Sequence, residues 1–211
     1  MGYKERKIRR KEEVKNSILA AAREIAQKEG WQAVTIRKIA DMIEYTPPIV
    51  YEYFDSKEDL LRQIAYFGFG ILKREFEIII SEIRDTKKKL KALSMLQWEF
   101  AANHSDLYQL MFNLEGIERP HPNEEIEYNM NVLQSIFLEL FDNDIEEARL
   151  HLFHWVCLCQ GAISNLLFLP VVPPFKDRKE IEPKILFDLL MTSFINSIGK
   201  NDEDVDILLS K

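Results

Sequence analysis

Apolar residues in this chain recur every three to four positions along almost its whole length. No segment alternates apolar and polar residues as a half-buried strand does. Between Glu12 and Glu29 the apolar positions are Val14, Ile18, Leu19, Ala22, Ile25 and Ala26, the spacing of a helix with one buried face. Gly30 then stands at the C′ position that closes many helices. Glycine is scarce, 7 of 211 residues, and 46% of the chain is apolar. An all-α fold with a sizeable core follows.

Two of the helical patterns are short and close together. Thr35 reads as the N-cap of a second helix whose apolar face is Ile36, Ile39, Ala40 and Ile43. Glu44–Thr46 breaks it. Thr46 reads as the next N-cap, with Pro47 at a first helical position and Pro48 still within the first turn, where N–H groups have no helical partner. This third helix is predicted to end near Phe54. Ser56 then caps a fourth helix from Lys57, and Ser56 with Asp59 makes a capping-box-like pair. Short helices joined by a three-residue turn are the helix-turn-helix arrangement, whose second member presents its N-terminal residues to a DNA major groove. Val50 and Phe54, four residues apart, supply the stripe that packs it from behind, which leaves Tyr51, Glu52 and the 47–49 tip outward. Glu44 carries strain if the turn requires positive φ of it.

Further helices are predicted over about 57–84, 86–103, 105–115, 123–141, 144–168 and 183–198. Thr86 and Ser105 read as N-caps, 116–123 as a Gly/Pro loop and 171–182 as a Pro-rich connection. Gly68 and Gly70 fall inside the fourth helix and are expected to soften it.

A net charge of −7 disfavours a polyanionic partner, so its distribution decides the matter. Residues 1–65 hold 13 Lys+Arg against 11 Asp+Glu, the remainder 15 against 24, and residues 1–15 hold 7 against 3. The positive charge gathers in an N-terminal arm that can pair with phosphates while the acidic body stays away from them. The arm also reads as a solvated, frayed terminus, and the two readings are compatible.

Three pieces between Val34 and Leu61 occur at a joint spacing: Thr35-x-Arg37-x-Ile39-Ala40, Tyr51-x-Tyr53-Phe54, and Ser56-Lys57-Glu58-Asp59-Leu60-Leu61. Together they resemble the N-terminal domain of TetR/AcrR-type transcriptional regulators. The resemblance implies a role for Arg37 at a base or phosphate, and for Tyr51, Tyr53 and Lys57 at phosphates. It makes Pro47, Pro48 and Ile49 the tip of the reading helix, able to offer only apolar readout, as against a thymine methyl. Thr35 and Thr46 would cap helices and lend backbone N–H groups to phosphates. Each has a plainer reading: Tyr53 as packing, Arg37 as a solvated side chain, Lys57 paired with Glu58 or Asp59. The chain departs from the family pattern in the turn, where Glu44-Tyr45 replaces Gly and a small apolar residue. It departs also at Glu52, a negative charge facing DNA, and at Ile49, where a small hydroxyl residue is common.

By the same resemblance, residues 1–65 form a helix-turn-helix DNA-binding domain with a basic arm, 66–200 a larger helical ligand-binding and dimerisation domain, and 201–211 an acidic tail. Trp98, Tyr108, Phe112, Tyr128, Phe137 and Trp155 are candidates to line an effector cavity, and each is also an ordinary core residue in prospect. The last two long helices would pair with their twins in a four-helix bundle, with Leu152, Leu158, Ile163, Leu167, Leu186, Leu190 and Phe194 in the seam and Gly161-Ala162 allowing close approach. The expected partners are then operator DNA, a second copy of the chain and an unknown small apolar effector that releases a repressor from a palindromic operator.

No nucleophile elbow, P-loop, dinucleotide fingerprint or His-Glu-x-x-His occurs, so no enzyme and no cofactor is expected. His151, His154, Cys157 and Cys159 do not converge as zinc ligands on a helix, so no metal is expected either. No apolar run reaches about 18 residues, and no secretory leader is read at the N-terminus, so the expected location is the cytoplasm without a membrane. A helical adaptor that kept such a fold but lost operator reading is the remaining alternative, favoured by Glu44, Glu52 and the acidic total.

Overall fold

The computed structural model describes residues 2–112, 120–169 and 182–198. Every regular element among them is helical. In order these are α1 (Tyr3–Glu29), a 3-10 turn (Trp31–Ala33), α2 (Ile36–Met42), α3 (Pro47–Tyr51), α4 (Lys57–Glu82), α5 (Thr86–Asn103), α6 (Ser105–Met111), α7 (Glu124–Leu140), α8 (Ile145–Ile163), a π turn (Ser164–Phe168) and α9 (Pro183–Ser197). The sequence-predicted helices are all present, with differences at their ends.

Helix α1 starts nine residues before the expected Glu12, so the basic arm is helix and not a frayed end. Glu5 reaches back to accept from the Gly2 N–H at 2.9 Å, and Arg9 pairs with Glu13 one turn on. Gly30 closes α1 with φ 83° and donates to the Ala26 carbonyl at 2.8 Å. The N-caps of the middle helices lie one residue earlier than expected. Asp85, not Thr86, accepts from the Lys88 N–H, and Thr86 donates to Glu139 instead. His104, not Ser105, holds the N-cap position of α6. The 144–168 helix is α-helical to Ile163 and widens into the π turn. Asp144 caps it by accepting from the Glu146 and Glu147 N–H groups, each at 3.1 Å. Residues 171–181 of the expected 171–182 connection, residues 116–119 of the 116–123 loop and the 201–211 tail lie outside the described residues.

The chain forms two compact units. The first joins the residues up to Gly70 with the segment that carries α6, so the expected boundary near residue 65 does not leave one continuous segment behind it. Its core includes Ile18, Ala22, Ile25, Trp31, Val34, Ile39, Val50, Phe54, Leu60 and Ile64. Helix α6 is tied to α1 by a bidentate pair, Arg23 Nε to Asp106 Oδ2 at 2.7 Å and Arg23 Nη2 to Oδ1 at 3.2 Å, and to the 3-10 turn by Trp31 Nε1 donating to the Asp106 carbonyl at 2.7 Å. Gly68 of α4 faces Met111 so closely that a Cβ there would stand 2.3 Å from its Sδ. Gly68 is therefore a close-packing glycine, a role the sequence did not show, inside an unbroken α4.

The second unit takes the rest of α4 with α5, α7, α8 and α9. Helix α5 runs through it, touching α7, α8 and α9. Trp155 donates to Ser94 Oγ at 2.9 Å, and the Trp98 and Phe187 rings lie 5.1 Å apart. Lys91 of α5 reaches Asp188 and Thr192 of α9, and Lys184 of α9 reaches Glu99. Ile163 is fully buried in this core, which removes it from the expected seam. The apolar face left open on α8 instead carries Leu150, Phe153 (64% exposed), Cys157 and Gly161, and α9 exposes Ile185, Leu189 and Leu190. With these residues the span Ile145–Phe168 is long and apolar enough, by length and composition, to cross a membrane.

Candidate nucleic-acid interface

The interface is built on the turn between α2 and α3. Thr35, in extended backbone, accepts from the Lys38 N–H at 3.2 Å and so fixes where α2 starts. Ile39 and Ala40 bury one face of α2, and Arg37 is left outward with its side chain 86% exposed and only a 4.0 Å approach to Asp41. The helix ends as a Schellman motif: the Tyr45 N–H bonds the Ala40 carbonyl at 2.9 Å, and the Glu44 N–H the Asp41 carbonyl at 3.3 Å. That motif places Glu44 at φ 59°, the left-handed conformation usually left to glycine.

Helix α3 then opens on two prolines. Thr46 stands at the N-cap position with extended backbone, but its side chain makes no cap hydrogen bond, contrary to expectation. Pro47 and Pro48 have no N–H to satisfy, and the first available one, of Ile49, already bonds the Thr46 carbonyl at 3.0 Å. Val50 and Phe54 are buried as the stripe that holds α3 down, although α3 itself stops at Tyr51, before Phe54. Thr46, Pro48 and Tyr51 are exposed, and Pro47, Ile49 and Tyr53 half-exposed. Ser56 accepts from the Asp59 N–H at 3.1 Å to start α4, with Lys57 partly open in its first turn. The Asp59 carboxylate reaches one residue further back than a standard capping box, to the Asp55 N–H at 3.2 Å. Burial pushes the Asp59 pKa up, but hydrogen bonds from Arg62, the Asp55 N–H and Gln63, with the Arg62 charge, hold it below the usual carboxylate range.

All nine residues singled out from the sequence, Thr35, Arg37, Thr46, Pro47, Pro48, Ile49, Tyr51, Tyr53 and Lys57, therefore lie on the α2–α3 turn or its flanks with accessible surface. Sequence reasoning missed the approach of α1 to this region: Lys11 Nζ lies 5.9 Å from the Tyr53 ring centre and Lys15 Nζ 5.6 Å from that of Phe54. The fourfold spacing of the two lysines is a signal that could have found it.

The six aromatic candidates for an effector cavity divide between the units. Tyr108 and Phe112 stack 4.5 Å apart in the first, with Phe69 5.9 Å from Phe112. Trp98, Tyr128, Phe137 and Trp155 belong to the second, where all but Tyr128 are buried in the core and Tyr128 meets Lys73 at 5.1 Å. Among the described residues no cluster of His, Cys, Asp or Glu is placed to hold a metal ion. Burial pushes the Cys159 thiol well above its ordinary pKa, so it stays protonated.

A short, proline-opened helix packed from behind and bordered by an outward arginine, tyrosines and a lysine defines the class: a helix-turn-helix DNA-binding module on an all-helical chain. Residues 18–64 match the family model for bacterial regulatory proteins, tetR family. That match shows a tetR-type DNA-binding domain over those residues, and the rest of the chain lies outside it. The chain is 22% identical over 141 residues to the HTH-type transcriptional activator FasR of Mycolicibacterium smegmatis, a match covering 64% of this chain and 61% of FasR, less than two thirds of that protein's length. Among solved structures it resembles the fatty acid degradation regulator FadR from Bacillus halodurans, with TM-score 0.65 and 19% identity over 86% of this chain and 98% of that one. It also resembles FadR from Bacillus subtilis in complex with stearoyl-CoA, with TM-score 0.64 and 19% identity over 85% and 96% of the two chains.

Proposed function

We propose that this protein is a ligand-responsive, cytoplasmic transcriptional regulator that binds an inverted-repeat operator as a homodimer and leaves it when a small apolar effector binds. The observation that carries the reading is the exposed α2–α3 turn, with Arg37, Tyr51, Tyr53 and Lys57 around a tip of Pro47, Pro48 and Ile49. Arg37 can give two donors to guanine or phosphate, the tyrosines and Lys57 bind the backbone, and the apolar tip meets a thymine methyl. Thr35 caps α2, whose first N–H groups are open to a phosphate, while Thr46, exposed at the proline-opened start of α3, offers its hydroxyl.

The homodimer rests on the open apolar face of α8 and α9, with Leu152, Leu158, Leu167, Leu186, Leu190 and Phe194 beside the more exposed Leu150, Phe153, Ile185 and Leu189. Two readers in a dimer meet successive major grooves about 34–36 Å apart. The effector contacts are assigned to Trp98, Tyr128, Phe137 and Trp155 of the second unit, which leaves out Tyr108 and Phe112 of the first. A long-chain acyl-CoA is the first effector to try, because FadR from Bacillus subtilis binds stearoyl-CoA.

Repression by occupancy is the output that such release implies. Activation is the second reading, favoured by FasR, an activator. Selection of bound duplexes from a random pool by the purified protein, at one fixed salt concentration, tests the core of the proposal. An enriched inverted repeat supports it, and adding stearoyl-CoA to that complex tests the effector. A folded dimer that enriches no sequence moves the protein to the adaptor reading. Transcription in vitro from a promoter carrying the repeat separates repression from activation.

A further inference from the structure

Helix α1 carries a row of like charges where its own stability gains nothing from them. Lys7, Lys11 and Lys15 are spaced by four residues, so they stack on one face over about 12 Å. Like charges at this spacing cost an isolated helix about 0.2–0.5 kcal/mol per pair. Residues 5–13 are all exposed, so no core packing offsets that cost. The acids of these turns do not all answer the row: Glu5 is held by the Gly2 N–H and Glu13 by Arg9.

The inner end of the row is fixed in place. Lys11 lies over the Tyr53 ring and Lys15 over that of Phe54, at centroid distances of 5.9 and 5.6 Å. Tyr53 and Phe54 lie two and three residues past the end of α3, and Lys57 opens α4 three residues after Phe54. The lysine row therefore begins beside the backbone-binding edge of the helix-turn-helix and runs outward from it as rigid helix. Phosphates repeat along a DNA strand about every 7 Å of contour, twice the per-strand rise, so 12 Å of ordered ammonium groups spans two or three of them.

We propose that Lys7, Lys11 and Lys15 form a second phosphate-binding edge that extends the DNA footprint beyond the helix-turn-helix. It adds affinity without reading sequence. The inference rests on the DNA-binding reading above, but not on any operator, since backbone contacts hold on any duplex.

The test uses the full chain and a random-sequence 30-base-pair duplex, with affinity measured by fluorescence anisotropy from 50 to 200 mM salt. The wild type is compared with the Lys7→Gln, Lys11→Gln, Lys15→Gln triple variant and with Lys28→Gln, at the far end of the same helix. The slope of log affinity against log salt should flatten in the triple variant by about 0.9 for each phosphate that is no longer neutralised. With three fewer phosphates neutralised, the fourfold rise in salt costs about 40-fold less affinity than in the wild type. Lys28→Gln should leave the slope unchanged. Restoring charge as arginine at the three positions should restore the slope, which excludes a fold defect. An unchanged slope in the triple variant overturns the proposal, as does a wild type that does not bind the random duplex at 50 mM salt. Neither outcome decides whether the protein enriches an inverted repeat, so the two readings fail separately.

Discussion

Two carboxylates define how single residues set this fold. Glu44 occupies the left-handed position of a Schellman motif at φ 59°. A side chain there costs about 1–2 kcal/mol relative to glycine, part of which glycine's greater chain entropy returns. Glu44→Gly should therefore stabilise the protein by roughly 0.5–1 kcal/mol in urea unfolding, and a destabilised variant would show that the turn is not strained. This residue was legible in advance through the resemblance, because the family carries glycine where this turn has Glu44. Asp106 was not legible, since nothing in the sequence links it to Arg23, 83 positions away. Its side chain is 3% exposed. Burial pushes its pKa up, but the Arg23 hydrogen bonds and charge, with Gln27 and the Leu107 N–H, hold it below the usual carboxylate range. A lowered carboxyl stabilises the fold above its unfolded pKa of about 3.9, and that contribution is lost as pH falls through the folded value. Asp106→Asn should cost about 2 kcal/mol at pH 7, because Arg23 keeps some water contact. The gap between variant and wild type should narrow below about pH 4. A pH-independent gap would mean that the pair's charge contributes nothing.

At the scale of elements, the periodic pattern located every α-helix among the described residues but neither the 3-10 nor the π turn, and the errors at helix ends fall where local signals compete. The pattern began α1 at Glu12 because the turns before Val14 have no buried face. Those turns are held by i,i+4 pairing and the Gly2–Glu5 bond, which hydrophobic periodicity does not register. Asp85 displaced Thr86 because both types cap well and only the backbone path selects one, while His104 holds the N-cap position ahead of Ser105 with no side-chain cap bond, against what residue type favours. The role of Gly68 required knowing which helix lies over it. Since α6 puts Met111 there, Gly68→Ala brings a methyl to 2.3 Å from Sδ. Methionine can swing away, so the expected cost is nearer about 1 than 3 kcal/mol. Met111→Ala in the same background should relieve it, giving a coupling of about 1 kcal/mol in a double-mutant cycle. Additive effects of the two substitutions would show that they do not touch. Softening of α4 alone would leave that coupling at zero.

For the whole molecule, the open question is what covers the apolar face of α8 and α9. The family resemblance marked these helices as the place for a twin, with Ile163 among the seam residues, but Ile163 is buried within the chain's own core. Both faces of α8 are apolar, and periodicity alone does not say which one α5 and α9 take. Fully burying a leucine or phenylalanine gains about 1.5–3 kcal/mol; Leu150, Phe153, Ile185 and Leu189 are about half exposed, so from two copies they supply a gain of the same order as the cost of association. A glutamate in that seam would be buried without a partner. On the proposed homodimer, the wild type is expected to sediment as a dimer and Phe153→Glu with Leu189→Glu as a folded monomer. Operator affinity should then fall on the order of 100-fold or more, because the second half-site no longer binds at a high effective concentration. Binding of each reader to a single half-site should persist, since neither residue lies in the helix-turn-helix. A double variant that stays dimeric would place the twin on another face. One that becomes monomeric yet keeps full operator affinity would remove the dimer from the mechanism of recognition.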